Sequence, residues 1–245
     1  MENALYVGLS RQVALQQRMN VLSNNIANVN TPGYRADKML FEEYIVSEKL
    51  HKDNNKDDIS MVLDYGQYKD TAAGTMQQTG NPLDVALSGP AFMMVETAEG
   101  TKYTRAGNFA MNNEGLLVTP SGNPVLDNGQ GRITIPEGTK DITITKDGSV
   151  VTDQGSVGQI GMVEFGNVQN LSSTGDGYYV TTNGEAPAPA QNTIMQQGMV
   201  EGSNVKAVLE MTDLIEVSRA FQTMQRALQN EHDRQRSAIQ KLTEK

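Results

Sequence analysis

The chain has 245 residues, 38% hydrophobic but only 5% aromatic and without tryptophan, which is lean for one core spanning the whole length. A net charge of −9, with twelve Asp or Glu against five Lys or Arg across residues 81–200, argues against a phosphate-backbone binder. The lack of cysteine excludes thiol catalysis, disulfides and Cys-ligated metals together, and fits oxidising and reducing compartments equally.

No run approaches the roughly 18 apolar residues of a membrane-spanning helix. The opening MENALYVGLSRQ lacks the basic start and apolar block of a cleaved secretory signal, so export would use another route.

In chain order, residues 1–50 read as a mainly helical segment. Leu15, Met19, Leu22, Ile26 and Val29 recur at steps of four and three, the seam of a heptad repeat. Extending that frame backward meets Gln12 and Gly8, so the first dozen residues are expected to be weak and loose. Residues 51–80 read as a connector: a charged loop, HKDNNKDDIS, followed by a Thr-, Gln- and Gly-rich extended stretch.

Residues 81–200 read as an all-β domain, a sandwich or open barrel. Met111 to Gly115, between NFA and LLVT, is a hairpin signal, and Asp147-Gly148 in ITITKDGSVVT predicts a two-residue type I′ turn. RITIP, QIGMVEF and YYVTT add strands, and NGEAPAPAQ (183–191) reads as a Pro/Ala linker or surface loop.

Residues 201–245 hold one long helix, expected over 204–243. Its 4-3 seam reads Ala207, Met211, Leu214, Ser218, Phe221, Gln225, Leu228, His232, Gln235, Ile239 and Leu242. Leu214, Phe221, Leu228 and Leu242 share one heptad position; Ser218, Gln225 and His232 occupy the other, which makes the seam half apolar and half polar. The fold class is thus α+β, with coiled-coil-type helices at both ends of a central β domain.

Such helices are not self-sufficient. A buried Leu, Met or Phe contributes roughly 1.5–3 kcal/mol, whereas ordering each backbone residue costs roughly 1–2 kcal/mol before helix hydrogen bonds offset it. Two readings stay open: an intramolecular hairpin packed on the β domain, or helices that join subunits and order on assembly.

The N-terminal helix runs into SNNIANVNTPGYR (23–35). Asn24, Asn25 and Asn28 tolerate unusual backbone angles and can bond orphan carbonyls or neighbouring chains. Pro32-Gly33 fits the centre of a type II turn, and Tyr34 supplies an aromatic anchor after it.

This stretch resembles the N-terminal signature of the flagellar basal-body rod family, shared by rod, hook and hook-associated proteins. NALYVGLSRQ (3–12) looks like the opening of the family's F-type proximal branch. TGNPLDVALSGPAF (79–92) with YTRAGNFAMNNEGLLVT (103–119) is similar to the start of the family's central β domain, and QQGMVEGSNVKAVLEMTDLIEVSRAFQTMQRALQ (196–229) to its C-terminal module. Ala91-Phe92-Met93 departs from the Gly-Phe-Phe often found there, which implies an altered strand entry.

The resemblance implies a structural subunit exported unfolded by the flagellar type III apparatus, without a cleaved signal. It implies assembly in the periplasm, with other proximal and distal rod proteins, into a helical drive shaft. Terminal helices would line the channel and the β domain would face outward. Subunit contacts are then expected at Leu15, Met19, Leu22, Asn25, Ile26, Asn28 and Tyr34, and at Met211, Leu214, Phe221 and Leu228. Other readings are a distal-rod or hook-type member, or a secreted β-domain binding module with oligomerising ends.

Catalysis, cofactors and metals find little support. The two histidines, His51 and His232, sit in a charged loop and in the helical seam, and no nucleophile elbow is present. DNGQG from Asp127 would place Gly138, not a bidentate Glu, at position twelve of a calcium loop. GSVGQIG (155–161) is GxxGxxG in a β region rather than a dinucleotide fingerprint. Asp127 and Asp147 read as turn residues, and Asp84 as an Asx-type turn or strand-start cap.

Overall fold

The computed structural model describes residues 2–46 and 59–243. The chain divides into two compact units, one of Met1–Ala27, Asp37–Tyr68 and Lys206–Lys245, the other of Asn28–Ala36 and Lys69–Val205. No described helix is long and apolar enough to cross a membrane.

The first, helical unit contains α1 (Glu2–Ala27), α2 (Ala207–Thr243) and the paired strands β1 (Asp37–Val46) and β2 (Ile59–Lys69), the last of these up to Tyr68. Helix therefore ends at Ala27, well short of residue 50, and part of the expected connector is strand. Pro32 blocks helix continuation, and Tyr44, Ile45, Val46, Ile59, Val62 and Tyr65 are the β-branched and aromatic types that strands favour. His51 lies outside the described residues.

The helices pack antiparallel. Gly8 near the start of α1 lies against Leu228 and Met224, whereas Arg18 and Asn25 near its end meet Asp213 and Glu210. A Cβ on Gly8 would sit 2.7 Å from Leu228 Cδ2, so the expected looseness of the first turns gives way to a close helix crossing. Ala14, Val21 and Leu22 are buried along α1, with Leu15, Met19 and Ile26 half-buried beside them.

Along α2 the seam runs Leu214, Val217, Phe221, Met224, Leu228 and Glu231. The Leu214–Phe221–Leu228 position is as expected. Its companion is Val217, Met224 and Glu231, not Met211, Ser218, Gln225 and His232. Val217 is 4% exposed, whereas Met211, Gln225, His232 and Ile239 are exposed. Two heptad frames share the Leu214 position, and the one that removes Val and Met from water prevails over the one that would bury Gln and His. The side chain of Leu242 lies outside the described residues.

The β unit contains β3 (Met76–Gln78), β4 (Val85–Ser88), β5 (Phe92–Thr97), β6 (Gly100–Thr104), β7 (Ala110–Met111) and β8 (Leu117–Val118). It continues with β9 (Ile142–Ile144), β10 (Ser149–Thr152), β11 (Gly155–Gln159), β12 (Met162–Glu164), β13 (Leu171–Gly175) and β14 (Tyr178–Thr181), then β15 (Ala188–Pro189), β16 (Ile194–Gln197) and β17 (Met199–Glu201). The main sheet is antiparallel in the order β13-β14-β6-β5-β12-β15, beside a smaller β11-β10-β9 sheet and the pairs β16-β4, β17-β3 and β7-β8.

Strand β5 is buried on both faces. Met93 enters the core of Val85, Leu87, Phe109, Leu117, Ile133 and Ile160, while Phe92 and Met94 enter a second cluster with Leu126, Leu171 and Tyr179. Period-two alternation thus feeds two cores from one strand, and Ala91, Phe92 and Met93 are all buried at its entry.

Several turns follow expectation. The Met111–Gly115 region closes β7 onto β8 through Asn112 N–H to Leu116 O and Gly115 N–H to Asn112 O. Asp127 Oδ1 accepts from the amides of Gly129 and Gly131. At Asp147-Gly148 only Gly148 has positive φ, +85°, so the turn is not type I′. Gly148 N–H bonds Thr145 O and Thr145 N–H bonds Ser149 O, a three-residue loop ending in a left-handed glycine. The Asx turn before β4 belongs to Asn81, whose Oδ1 accepts from Leu83 N–H and whose Nδ2 donates to Asp84. Within the Pro/Ala loop, Ala188 and Pro189 add a short edge strand to β12.

Candidate assembly elements and their internal clamp

The Asn-rich end of α1 and the turn after it do two different jobs. Asn25 is 1% exposed and pairs with the backbone of Asp37 in both directions: its Nδ2 donates to Asp37 O at 2.9 Å and its Oδ1 accepts from Asp37 N–H at 3.0 Å. The same Nδ2 reaches Glu210 Oε2 at 3.1 Å. One amide, buried and satisfied, therefore ties the end of α1 to the start of β1 and to the first turn of α2.

Residues 28–36 belong to the β unit. Thr31 bonds Asn28 through both its amide and its hydroxyl, and Tyr34 N–H closes the turn on Thr31 O at 3.3 Å. Gly33 has φ +68°, as position i+2 of a type II turn requires. A Cβ there would lie 2.5 Å from the backbone carbon of Arg105, so glycine is demanded by space as well as by angle. Tyr34 packs with Val29, Ala36 and Val205.

This turn is held by Glu201. Its carbonyl accepts from Gly33 N–H at 2.8 Å, and its carboxylate, 1% exposed, meets Arg35 Nη2 at 2.8 Å and Arg105 Nη2 at 2.7 Å. Gly74 N–H donates to the same carboxylate. Arg105, also 1% exposed, donates to the carbonyls of Leu87, Gly89 and Ala91 and stands over the Phe92 ring. Burial, and then the neighbouring Arg105, lower the pKa of Arg35, while Glu201 opposes that shift. Asn204 completes the clamp, accepting from Ala36 N–H and donating to the carbonyls of Asp70 and Ala72.

The sequence pattern marks Asn25, Asn28 and Tyr34 but not this Arg35–Glu201–Arg105 triad. A signal was present: each charge sits inside a stretch that carried the resemblance, TPGYR, YTRAGNF or GMVEGSN, among apolar neighbours.

Of the residues expected to join subunits, Leu22, Asn25 and Tyr34 are buried within their own chain. Leu15, Met19, Ile26, Asn28, Leu214, Phe221 and Leu228 are half-buried, and Met211 is exposed. The helical unit shows other apolar side chains outward. On α1 these are Tyr6, Leu9 and Val13, at 58%, 49% and 51% exposure; on α2 they are Val208, Met211 and Ile215, at 76%, 49% and 54%. Each set has the three-and-four spacing of one helical face. His232 is exposed on α2, and among the described residues no group of three or more His, Cys, Asp or Glu is placed to hold a metal ion.

Comparison with known proteins agrees with this architecture segment by segment. Residues 5–35 match the family described as flagella basal body rod protein, residues 86–152 the flagellar hook protein FlgE/F/G D1 domain, and residues 196–241 the flagellar basal body rod FlgEFG protein C-terminal region. The flagellar basal-body rod protein FlgF of Caulobacter vibrioides is 38% identical over 99% of this chain and 98% of its own length. FlgF of Mesorhizobium japonicum is 36% identical over 91% of this chain and 90% of its own, and FlgG of Bacillus subtilis 34% over 91% and 92%. With its α1 turn, β domain and α2 each matched in order, the chain belongs to the flagellar basal-body rod protein family and is similar to FlgF.

Proposed function

We propose that this chain is a structural, non-catalytic subunit of the proximal rod, the periplasmic drive shaft of the flagellar basal body. It assembles through its terminal helices with further copies and with proximal and distal rod proteins, after export by the flagellar apparatus without a cleaved signal.

The observation that carries this reading is the pair of outward apolar faces, Tyr6, Leu9 and Val13 on α1 and Val208, Met211 and Ile215 on α2. A helix pair that already buries one seam and still exposes a second apolar stripe on each member has the pattern of a bundle awaiting more helices. Met211, off the intrachain seam, belongs to that outer face. Contacts between unlike faces of successive copies give an open helical filament. Placement in the proximal rod, rather than the distal rod or hook, is favoured by 38% identity to a FlgF spanning 99% of this chain, against 34% to a FlgG spanning 91%.

The test is a chain carrying Val13→Asp and Met211→Asp. It should keep wild-type circular dichroism and melting yet fail to restore motility to a strain lacking the native protein. Full restoration would overturn assembly through these faces. Basal bodies from the deletion strain should also lack distal rod and hook; a complete rod without this chain would move it to the hook-type reading.

A further inference from the structure

The dipeptide Asn-Gly occurs twice in the chain, at 128–129 and at 183–184. In this pair a backbone nitrogen readily attacks the preceding side-chain amide, because glycine has no Cβ to shield that nitrogen and lets the backbone swing widely. Both pairs lie on exposed turns of the β unit. Their surroundings differ.

At 128–129 both reacting groups are held. Gly129 N–H, the nucleophile, donates to Asp127 Oδ1 at 2.7 Å, and Asn128 Nδ2, the leaving group, donates to Gln159 Oε1 at 2.8 Å. Asp127 Oδ1 also accepts from Gly131 N–H, and Gln130 N–H donates to Asp127 O, so the turn is fixed on both sides of the pair. Attack there would first break a hydrogen bond to a carboxylate, one of the stronger kinds.

At 183–184 the nucleophile is free. Gly184 N–H has no acceptor among the described residues, and the space where a Cβ of Gly184 would stand is open. Asn183 Nδ2 reaches Glu185 Oε2 only at 3.5 Å, beyond the usual N–H···O range of about 2.7–3.2 Å. Asn183 Oδ1 accepts from Glu185 N–H at 3.1 Å, an Asx turn that folds the side-chain carbonyl back over the Gly184 peptide and polarises its carbon.

We propose that Asn183 is a site of spontaneous deamidation, and that Asn128 in the same dipeptide is protected by its turn. Gly184 N bonds to Asn183 Cγ as the Cγ–Nδ2 bond breaks, and the amide proton of Gly184, passed through solvent, leaves on the departing nitrogen as ammonia. A five-membered succinimide remains, and water opens it at either carbonyl to give aspartate or isoaspartate. The product replaces a donor toward Glu185 by a second carboxylate. Glu185 already collects Gly166 N–H and Asn170 Nδ2, so the added like charge falls on the contacts that hold the loop leading into β15.

The experiment incubates the full chain at mildly alkaline pH, folded and in guanidinium, then digests it at acid pH, where cyclisation stops. Peptide mass spectrometry follows the acid forms at 183 and 128. In the folded chain Asn183 should convert several-fold faster than Asn128, with isoaspartate among the products. In guanidinium the two rates should converge, because both asparagines precede glycine. Equal folded rates, or a faster Asn128, would overturn the assignment; aspartate without isoaspartate would overturn the route through Gly184. A difference that persists in guanidinium would trace it to local sequence and overturn the protection by the turn. Asp127→Ala, which frees Gly129 N–H, should raise the Asn128 rate several-fold, and Gln159→Ala, which frees the leaving group, by a smaller factor. The Asn183 rate, unchanged in both, reports that each variant is folded; an Asn128 rate that moves in neither would also overturn the protection.

Discussion

The two units solve the problem of a lean, low-aromatic sequence in opposite ways. The β unit closes on itself: β5 feeds two clusters, and a buried ion triad stitches a remote N-terminal turn to the strands. The helical unit buries a thin seam of Gly8, Ala14, Val21, Leu22 and Val217, with Leu214 and Leu228 half-buried, and leaves comparable apolar residues facing out. One unit is finished by intrachain contacts. The other leaves an apolar stripe on each helix facing outward.

The sharpest way to break that contrast is Glu201→Gln. It would leave two buried guanidinium groups without their shared carboxylate, so the β unit should lose roughly 3–5 kcal/mol in denaturant unfolding. A loss confined to α1 and α2 would mean that the clamp belongs to the helices instead.

A middle-sized effect separates the two heptad frames of α2. Met224→Gln should destabilise the helical unit by about 1–2 kcal/mol, by burying an amide where a thioether packs, whereas Gln225→Leu should change stability by less than about 0.5 kcal/mol. The reverse ranking, read by helix melting, would restore the frame that placed Gln225 and His232 inside.

The smallest effect tests how tightly the helices cross. Gly8→Ala gains about 1 kcal/mol of helix propensity but sets a methyl 2.7 Å from Leu228 Cδ2, the end of a flexible side chain. A near-neutral result is expected, and Leu228→Ala in the same background should turn it clearly stabilising relative to Leu228→Ala alone.

Legibility in the sequence tracked the range of the interactions. The type II turn at Pro32-Gly33, the hairpin closed by Asn112 and the Asx turn at Asp127 depend on residues a few positions apart, and all three were readable. The helical seam was half readable, because two frames share Leu214, Phe221 and Leu228, and only the partner helix chooses between Val217 and Ser218. Strands β1 and β2 were missed, since neither shows clean alternation. The Arg35–Glu201–Arg105 triad joins residues up to 166 positions apart, and no local pattern reports that kind of pairing.

The segment 28–36 carries a topological consequence. Because the β unit takes Asn28–Ala36 while its flanks on either side belong to the helical unit, the chain passes between the units at 27/28, 36/37, 68/69 and 205/206. No single cut can free either unit, and a fragment trimmed to residues 70–200 would lose both Arg35 and Glu201 and strand Arg105. The two units are thus joined by four peptide connections, and a chain cut at any one of these crossings still joins them through the other three.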